Sequence, residues 1–298
     1  MKKMILSLTC VFPVLFVFCR NEGLGSLHEN RIPGNALVKT TKDSLPWTIY
    51  NNVSYGNDVQ QKMDVYLPSV RNPKTMTLVI IHGGGWCEGD KSEFNSYVAE
   101  FQKRLPEYAI ANFNYRLVKN NENYFPTQEN DIVTAIEFLK SKAQDYNIST
   151  DFILFGMSAG GHLALLHGYK HNDIAQIKGI ISVFGPSDLL QLYGNGKTAV
   201  SKNLQTCINA TPETNPGIYD QSNPINFITS HSAPTLMLHG DKDTIISIEQ
   251  AYRLRDRLAK NSVVNKLVVY SGQGHGFTGN ELTDLYQQVA IFVKELGK

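Results

Sequence analysis

The chain has 298 residues, 42% of them apolar and 18% charged, a balance that supports a substantial hydrophobic core and excludes wholesale disorder. Its 28 Lys and Arg against 27 Asp and Glu leave no basic stripe with interleaved aromatics, so a nucleic-acid partner has no electrostatic footprint here. A small or neutral substrate suits such a surface better.

At the N-terminus, Met1-Lys2-Lys3 precedes an apolar run from Met4 to Phe18 interrupted by Ser7, Thr9 and Pro13. This is the pattern of a secretory signal, assigned to residues 1–25, and it predicts an exported protein, periplasmic or secreted. The run falls short of the ~20 apolar residues of a spanning helix and contains a proline, so no integral membrane span is expected. Cys19 is a candidate lipid-attachment residue, although bacterial lipoprotein signals favour a small residue where Phe18 stands. Cys87 and Cys207 remain in the mature chain. Their spacing is no metal motif; in an oxidising compartment they form either a disulfide tethering the 190–230 segment or two separate thiols.

Residues 26–44 read as a polar linker and 45–298 as a single catalytic domain. The domain opens with β-rich runs at Thr48–Tyr55 and Met63–Leu67 around the turn Gly56-Asn57-Asp58, an antiparallel hairpin. Apolar strands then alternate with helical segments: strand Thr77–Ile81, helix Glu93–Leu105, strand Ala109–Asn114, helix Thr127–Tyr146, strand Phe152–Phe155 and helix Ala159–Gly168. Strands Gly179–Phe184, Thr235–His239 and Lys266–Tyr270 follow, with helices Ile248–Lys260 and Glu281–Leu296. The alternation predicts an α/β fold, an eight-stranded and mostly parallel sheet flanked by helices. Residues 189–232 break the rhythm with Gly194, Gly196, Pro212, Pro216, Gly217 and Pro224, and read as an irregular, lid-like insertion over the site.

Two glycine-rich turns stand at strand ends. Gly156-Met157-Ser158-Ala159-Gly160-Gly161 joins a strand to a helix, and small residues on either side of Ser158 are what a serine forced into so tight a turn requires. Upstream, Leu78-Val79-Ile80-Ile81 runs into His82-Gly83-Gly84-Gly85-Trp86, a turn whose backbone N–H groups are suited to an oxyanion. A nucleophilic serine needs an imidazole to take its proton and a carboxylate to orient the imidazole. His275 lies in the glycine-flanked loop after strand Lys266–Tyr270, and Asp241 and Asp243 follow strand Thr235–His239. Asp188, after strand Gly179–Phe184, is a third acid within reach of such a site.

The order serine, acid, histidine is that of the α/β-hydrolases. From about Val53 onward the chain resembles the α/β-hydrolase esterases related to carbohydrate acetyl and feruloyl esterases and to the hormone-sensitive-lipase group. The resemblance rests on Lys62-Met63-Asp64-Val65-Tyr66-Leu67-Pro68, the His-Gly-Gly-Gly-Trp turn, Asn114-Tyr115-Arg116-Leu117, the serine turn, His239-Gly240-Asp241-Lys242-Asp243 and Gly274-His275-Gly276-Phe277. Met157 stands where the hormone-sensitive-lipase group commonly has Asp, which favours the acetyl and feruloyl esterase side. The resemblance implies Ser158 as nucleophile, His275 as general base and Asp243 as its acid. It also implies an oxyanion hole from the N–H groups of Gly84, Gly85 and Ala159.

Trp86 reads as either a pocket wall or packing, His82 as a brace for its own turn, Asp64 and Asp131 as loop or helix-start holders, and Arg116 as part of a structural ion pair. No metal site and no cofactor are expected. The implied activity is hydrolysis of short acyl esters, acetyl or feruloyl, on small molecules or polysaccharides. The rivals are a serine peptidase without its propeller, an arylformamidase-like amide hydrolase, and a non-catalytic recognition module.

Overall fold

The computed structural model describes residues 30–32, 36–39, 47–171, 177–194 and 198–298. The signal segment and Cys19 lie outside the described residues. Ten strands form one sheet: β1 (Asn30–Ile32), β2 (Ala36–Lys39), β3 (Trp47–Ser54), β4 (Lys62–Pro68), β5 (Thr77–Ile81), β6 (Ala109–Phe113), β7 (Phe152–Met157), β8 (Ile177–Val183), β9 (Thr235–Gly240) and β10 (Asn265–Tyr270). Their order across the sheet is β1-β2-β3-β4-β6-β5-β7-β8-β9-β10. The strands from β6 through β10 pair in parallel, and β4 joins them antiparallel through Met63 opposite Phe113.

The eight strands expected from the sequence are β3 to β10. The segment read as a linker, 26–44, needs correction, because β1 and β2 within it extend the antiparallel edge from β3.

Strands of a sheet covered on both sides read as unbroken apolar runs, and β5 is buried at every position. Period-two alternation sends Val79 and Ile81 to one face, against α2 (Thr127–Tyr146) and α3 (Ala159–Lys170). Leu78 and Ile80 face the other way, into a core with Phe101 of α1 (Asn95–Arg104) and Val289 and Val293 of α8 (Gly279–Leu296). In α2 the predicted stripe Ile132, Ala135, Ile136, Leu139 and Ala143 is buried, and the helix stops at Asn147, whose φ of 53° breaks its repeat. Helix α7 (Glu249–Lys260) packs beside β10.

The 189–232 insertion is not irregular. It holds α4 (Leu189–Gly194), α5 (Thr198–Ile208) and α6 (Pro216–Ser222), followed by a single 3-10 turn at Pro224–Phe227. Helix α6 begins where the Asn215 side chain accepts the Ile218 N–H and Pro216 occupies the first turn. There the missing proline N–H costs nothing, because the first turn has no intrahelical acceptors. Among the described residues no helix is long and apolar enough to cross a membrane.

Candidate active site

Five adjacent parallel strands, in the order β5, β7, β8, β9 and β10, end on one edge of the sheet, and the residues singled out by the sequence leave from those ends. Ser158 follows β7 with φ 53° and ψ −121°, a conformation that a residue with a Cβ rarely adopts. Its N–H is held by the Val183 carbonyl at 2.9 Å, and its own carbonyl accepts the His162 N–H at 3.0 Å. The flanking glycines are steric necessities: a Cβ at Gly156 would collide with the Gly160 carbonyl, and one at Gly160 with the carbonyls of Ile81 and His82. The serine turn therefore lies directly on the end of β5.

His275 Nε2 stands 2.9 Å from Ser158 Oγ, and His275 Nδ1 2.6 Å from Asp243 Oδ2. Asp243 is buried, and its Oδ1 accepts the N–H groups of Ile245 at 2.8 Å and Ile246 at 2.9 Å. Burial pushes this carboxyl up, but hydrogen bonds from His239, His275 and the Ile245 N–H outweigh burial and hold it well below the usual carboxylate range. Buried His239 donates from Nε2 to the Ile246 carbonyl at 2.8 Å and lies 3.5 Å from Asp243 Oδ2.

The two competing acids are engaged elsewhere. Asp188 is paired with Arg253 at 2.6 Å, and Asp241 accepts the Gly272 N–H at 2.6 Å, bracing the turn before His275. The His275 ring rests on Phe184, with centroids 4.4 Å apart.

The glycine turn after β5 approaches Ser158 closely, since a Cβ at Gly83 would stand 3.5 Å from the Ser158 Cβ. Gly84, Gly85 and Trp86 have φ values of 95°, 56° and 64°. The Gly83 carbonyl accepts His82 Nδ1 at 2.8 Å and the Tyr115 hydroxyl at 3.0 Å. The Gly84 carbonyl accepts the Cys87 and Glu88 N–H groups at 3.2 and 3.0 Å. A trans peptide points its N–H opposite its C=O, so these bonds turn the N–H groups of Gly84 and Gly85 away from the supports. Among the described residues neither N–H finds an acceptor. Ala159 N–H, at the first position of α3, has no intrahelical acceptor by construction.

His82 braces its turn as the sequence suggested. It stacks on Tyr115 at 4.2 Å, and burial lowers its pKa to about 4, so it donates from Nδ1 as a neutral ring. Of the two readings of Trp86, a pocket wall or packing, its surroundings favour packing: it is 8% exposed, and its indole N–H donates to His162 Nδ1 at 3.3 Å. Arg116 and Asp131 form the expected ion pair at 2.6 Å, and Asp64 pairs with Lys91 while accepting the Asn52 N–H at 2.7 Å.

The Asn-Tyr-Arg-Leu motif does not by itself show that the Tyr115 hydroxyl supports the glycine turn, and no local pattern marks His162. The structure gives His162 a specific task. It accepts from Trp86 at Nδ1 and donates from Nε2 to the Ser222 carbonyl of α6 at 2.8 Å. Cys87 Sγ and Cys207 Sγ both lie near Asn203 Oδ1, at 3.6 and 3.8 Å.

A family model described as BD-FAE matches residues 63–258, well over half of the chain. The chain belongs to the BD-FAE family. The matched span of this BD-FAE member runs from β4 through most of α7 and includes the glycine turn, Ser158 and Asp243. Its relatives include Esterase LipC of Mycobacterium tuberculosis, 25% identical over 266 residues that cover 82% of this chain and 64% of that protein. A second, named as the uncharacterized peptidase YtmA of Bacillus subtilis, is 26% identical over 177 residues, 59% of this chain and 66% of that protein. The BD-FAE chain thus spans just under two thirds of the length of these two curated relatives.

Among solved structures, a truncated carbohydrate esterase from gut microbiota superposes with a TM-score of 0.74 at 22% identity, covering 86% of this chain and 98% of that one. Esterase B from Lactobacillus rhamnosis superposes with a TM-score of 0.68 at 19% identity, over 90% of this chain and 88% of that one. The BD-FAE member has the α/β-hydrolase fold, as its mostly parallel sheet and flanking helices already indicate.

Proposed function

We propose that the protein is a serine carboxylic-ester hydrolase working through an acyl-enzyme on Ser158. The observation that carries this reading is the unbroken hydrogen-bonded chain from Ser158 Oγ to His275 to buried, ionised Asp243. His275 Nε2 takes the hydroxyl proton as Oγ attacks the ester carbonyl carbon, while Asp243 holds Nδ1–H and balances the imidazolium. The developing oxyanion accepts from Gly84, Gly85 and Ala159 N–H, whose directions are set before substrate arrives. Collapse expels the alcohol, protonated by His275. Water, deprotonated by the same nitrogen, then attacks the acyl carbon and releases the acid and free Ser158.

Short acyl esters of carbohydrates, acetyl or feruloyl, are the proposed substrates. Support comes from the family, from relatives named esterases, and from a fold neighbour named a carbohydrate esterase. An exported location, with residues 1–25 as the leader, fits a polysaccharide substrate. Amide hydrolysis is the second reading, favoured by the relative named a peptidase.

The test compares the mature protein with Ser158→Ala on aryl acetate, butyrate and octanoate, then on acetylated xylan, methyl ferulate and a peptide anilide. Ester cleavage by the parent, lost by about 10⁶-fold in the variant, is the expected result. Turnover of the anilide alone would replace esters with amides. Activity surviving in Ser158→Ala would remove the acyl-enzyme.

A further inference from the structure

The glycine turn ends in the peptide plane joining Gly85 to Trp86, two residues with φ of 56° and 64°. The supports of the Gly85 carbonyl come from the insertion: Asn203 Nδ2 donates to Gly85 O at 3.2 Å, and Cys207 Sγ approaches the same oxygen at 3.2 Å. Both residues lie on α5, one helical turn apart, which places their side chains on a common face.

Helix α5 is itself anchored to the body of the domain. The Cys207 carbonyl accepts the Phe125 N–H at 2.9 Å just before α2, and buried Leu204 and Ile208 join the main core. A second tie runs from the Trp86 indole through His162 to the Ser222 carbonyl of α6.

We propose that Asn203 is a positioning residue for the oxyanion turn, and that α5 and α6 form a fixed clamp on it instead of a movable cover. This rests on the esterase reading above. The Gly84–Gly85 plane is held from within the turn by the Cys87 and Glu88 N–H groups, and the Gly85–Trp86 plane from outside it by Asn203. The Gly85 N–H belongs to the first plane, and the Cys87 and Glu88 groups that hold this plane follow the second in the chain, so a fixed second plane keeps them in place and the donor aimed at the substrate oxygen. Without Asn203 the second plane rotates, Cys87 and Glu88 shift with it, and the donor spends part of its time misdirected. The oxyanion exists only along the reaction path, so the loss falls on kcat and not on substrate binding.

The experiment measures kcat and KM on an aryl acetate for the parent, Asn203→Ala and the isosteric Asn203→Asp. Active sites are counted by organophosphate titration, and affinity is measured for an aryl trifluoromethyl ketone, whose hemiketal oxyanion occupies the same donors. Removing an oxyanion donor outright costs 10²–10³, so misdirecting one should lower kcat per titrated site by ~10-fold or more with KM nearly constant. Ketone affinity should fall in step with kcat/KM.

Asn203→Asp reports the same loss without a cavity, so a folding defect in Asn203→Ala leaves the comparison intact. Unchanged kcat and ketone affinity per titrated site in both variants would overturn the clamp. A parent that neither cleaves the ester nor binds the ketone would instead overturn the esterase reading.

Discussion

The ring of Phe184 packs against the imidazole of His275 with centroids 4.4 Å apart and a tilt of 47°, and Phe184 holds that place with a φ of 40°, outside the ordinary range for a bulky side chain. The strained residue is tied down by its N–H to the Leu238 carbonyl at 2.8 Å and packs on Phe277 at 5.5 Å. In the proposed mechanism the imidazole becomes cationic during each turnover, and the tilted aromatic ring against it supports that charge, an effect of roughly 0.5–2 kcal/mol.

Phe184→Leu should therefore lower kcat by ~3- to 30-fold with little change in KM, while Phe184→Tyr keeps most of the activity. Steady-state kinetics on a short aryl ester is the check. Equal activity in the leucine variant would show that the contact is packing alone.

Three acids competed for the role beside the histidine, and their contacts separate them. Asp243→Asn leaves His275 with the wrong tautomer and should cost about 10⁴ in kcat, by analogy with the same change in a serine-protease triad. Asp188→Asn breaks an ion pair with Arg253 and should affect stability before chemistry. A loss of similar size in both variants, at matched folded fractions, would count against the assignment.

Tyr115→Phe removes the hydroxyl that donates to the carbonyls of His82 and Gly83. Leaving buried acceptors short of a donor costs about 1–3 kcal/mol of stability, and loosening the Gly83–Gly84 plane should lower kcat as well. Chemical denaturation and turnover measured on one preparation should both report the change. A shift in KM alone would contradict the role given to Tyr115.

Three histidines are buried in the neutral form. Burial lowers His82 and His162 to about 4 and His167 to about 3. The unfolded chain takes up these protons near ~6.5, so between that pH and the folded values the unfolded state binds more protons. Stability is then fully present above ~6.5 and declines as pH falls toward 4, by up to ~1.4 kcal/mol per pH unit for each histidine. Denaturant midpoints between pH 7.5 and 4.5 should follow this slope. A flat series would mean that these rings are not held neutral by the fold.

The sheet and the Ser158, His275 and Asp243 chain were legible because their signals are local. Apolar runs of strand length, glycines beside a serine, and acid and histidine loops just after strands each report backbone geometry within a few residues. The insertion was misread for a definable reason. Prolines break helices in general, yet Asn215-Pro216 is a helix start, since Asn caps and Pro tolerates the first turn. Phe184 had no such signal, because a phenylalanine at positive φ is imposed by tertiary packing and contradicts its own preference. Trp86, His162, Tyr115 and Asn203 act through partners 32 to 118 positions away in the chain, which spacing along the sequence does not encode.

The carbonyls of Ile81 and His82 against Gly160 make the distance from the proposed nucleophile to the proposed oxyanion donors a matter of main chain touching main chain. Such a gauge does not depend on which side chains surround it. Variants selected for a longer acyl chain or a different sugar can therefore vary the solvent-facing positions of α4 to α6 freely, provided Asn203 stays, without resetting the spacing on which bond cleavage depends.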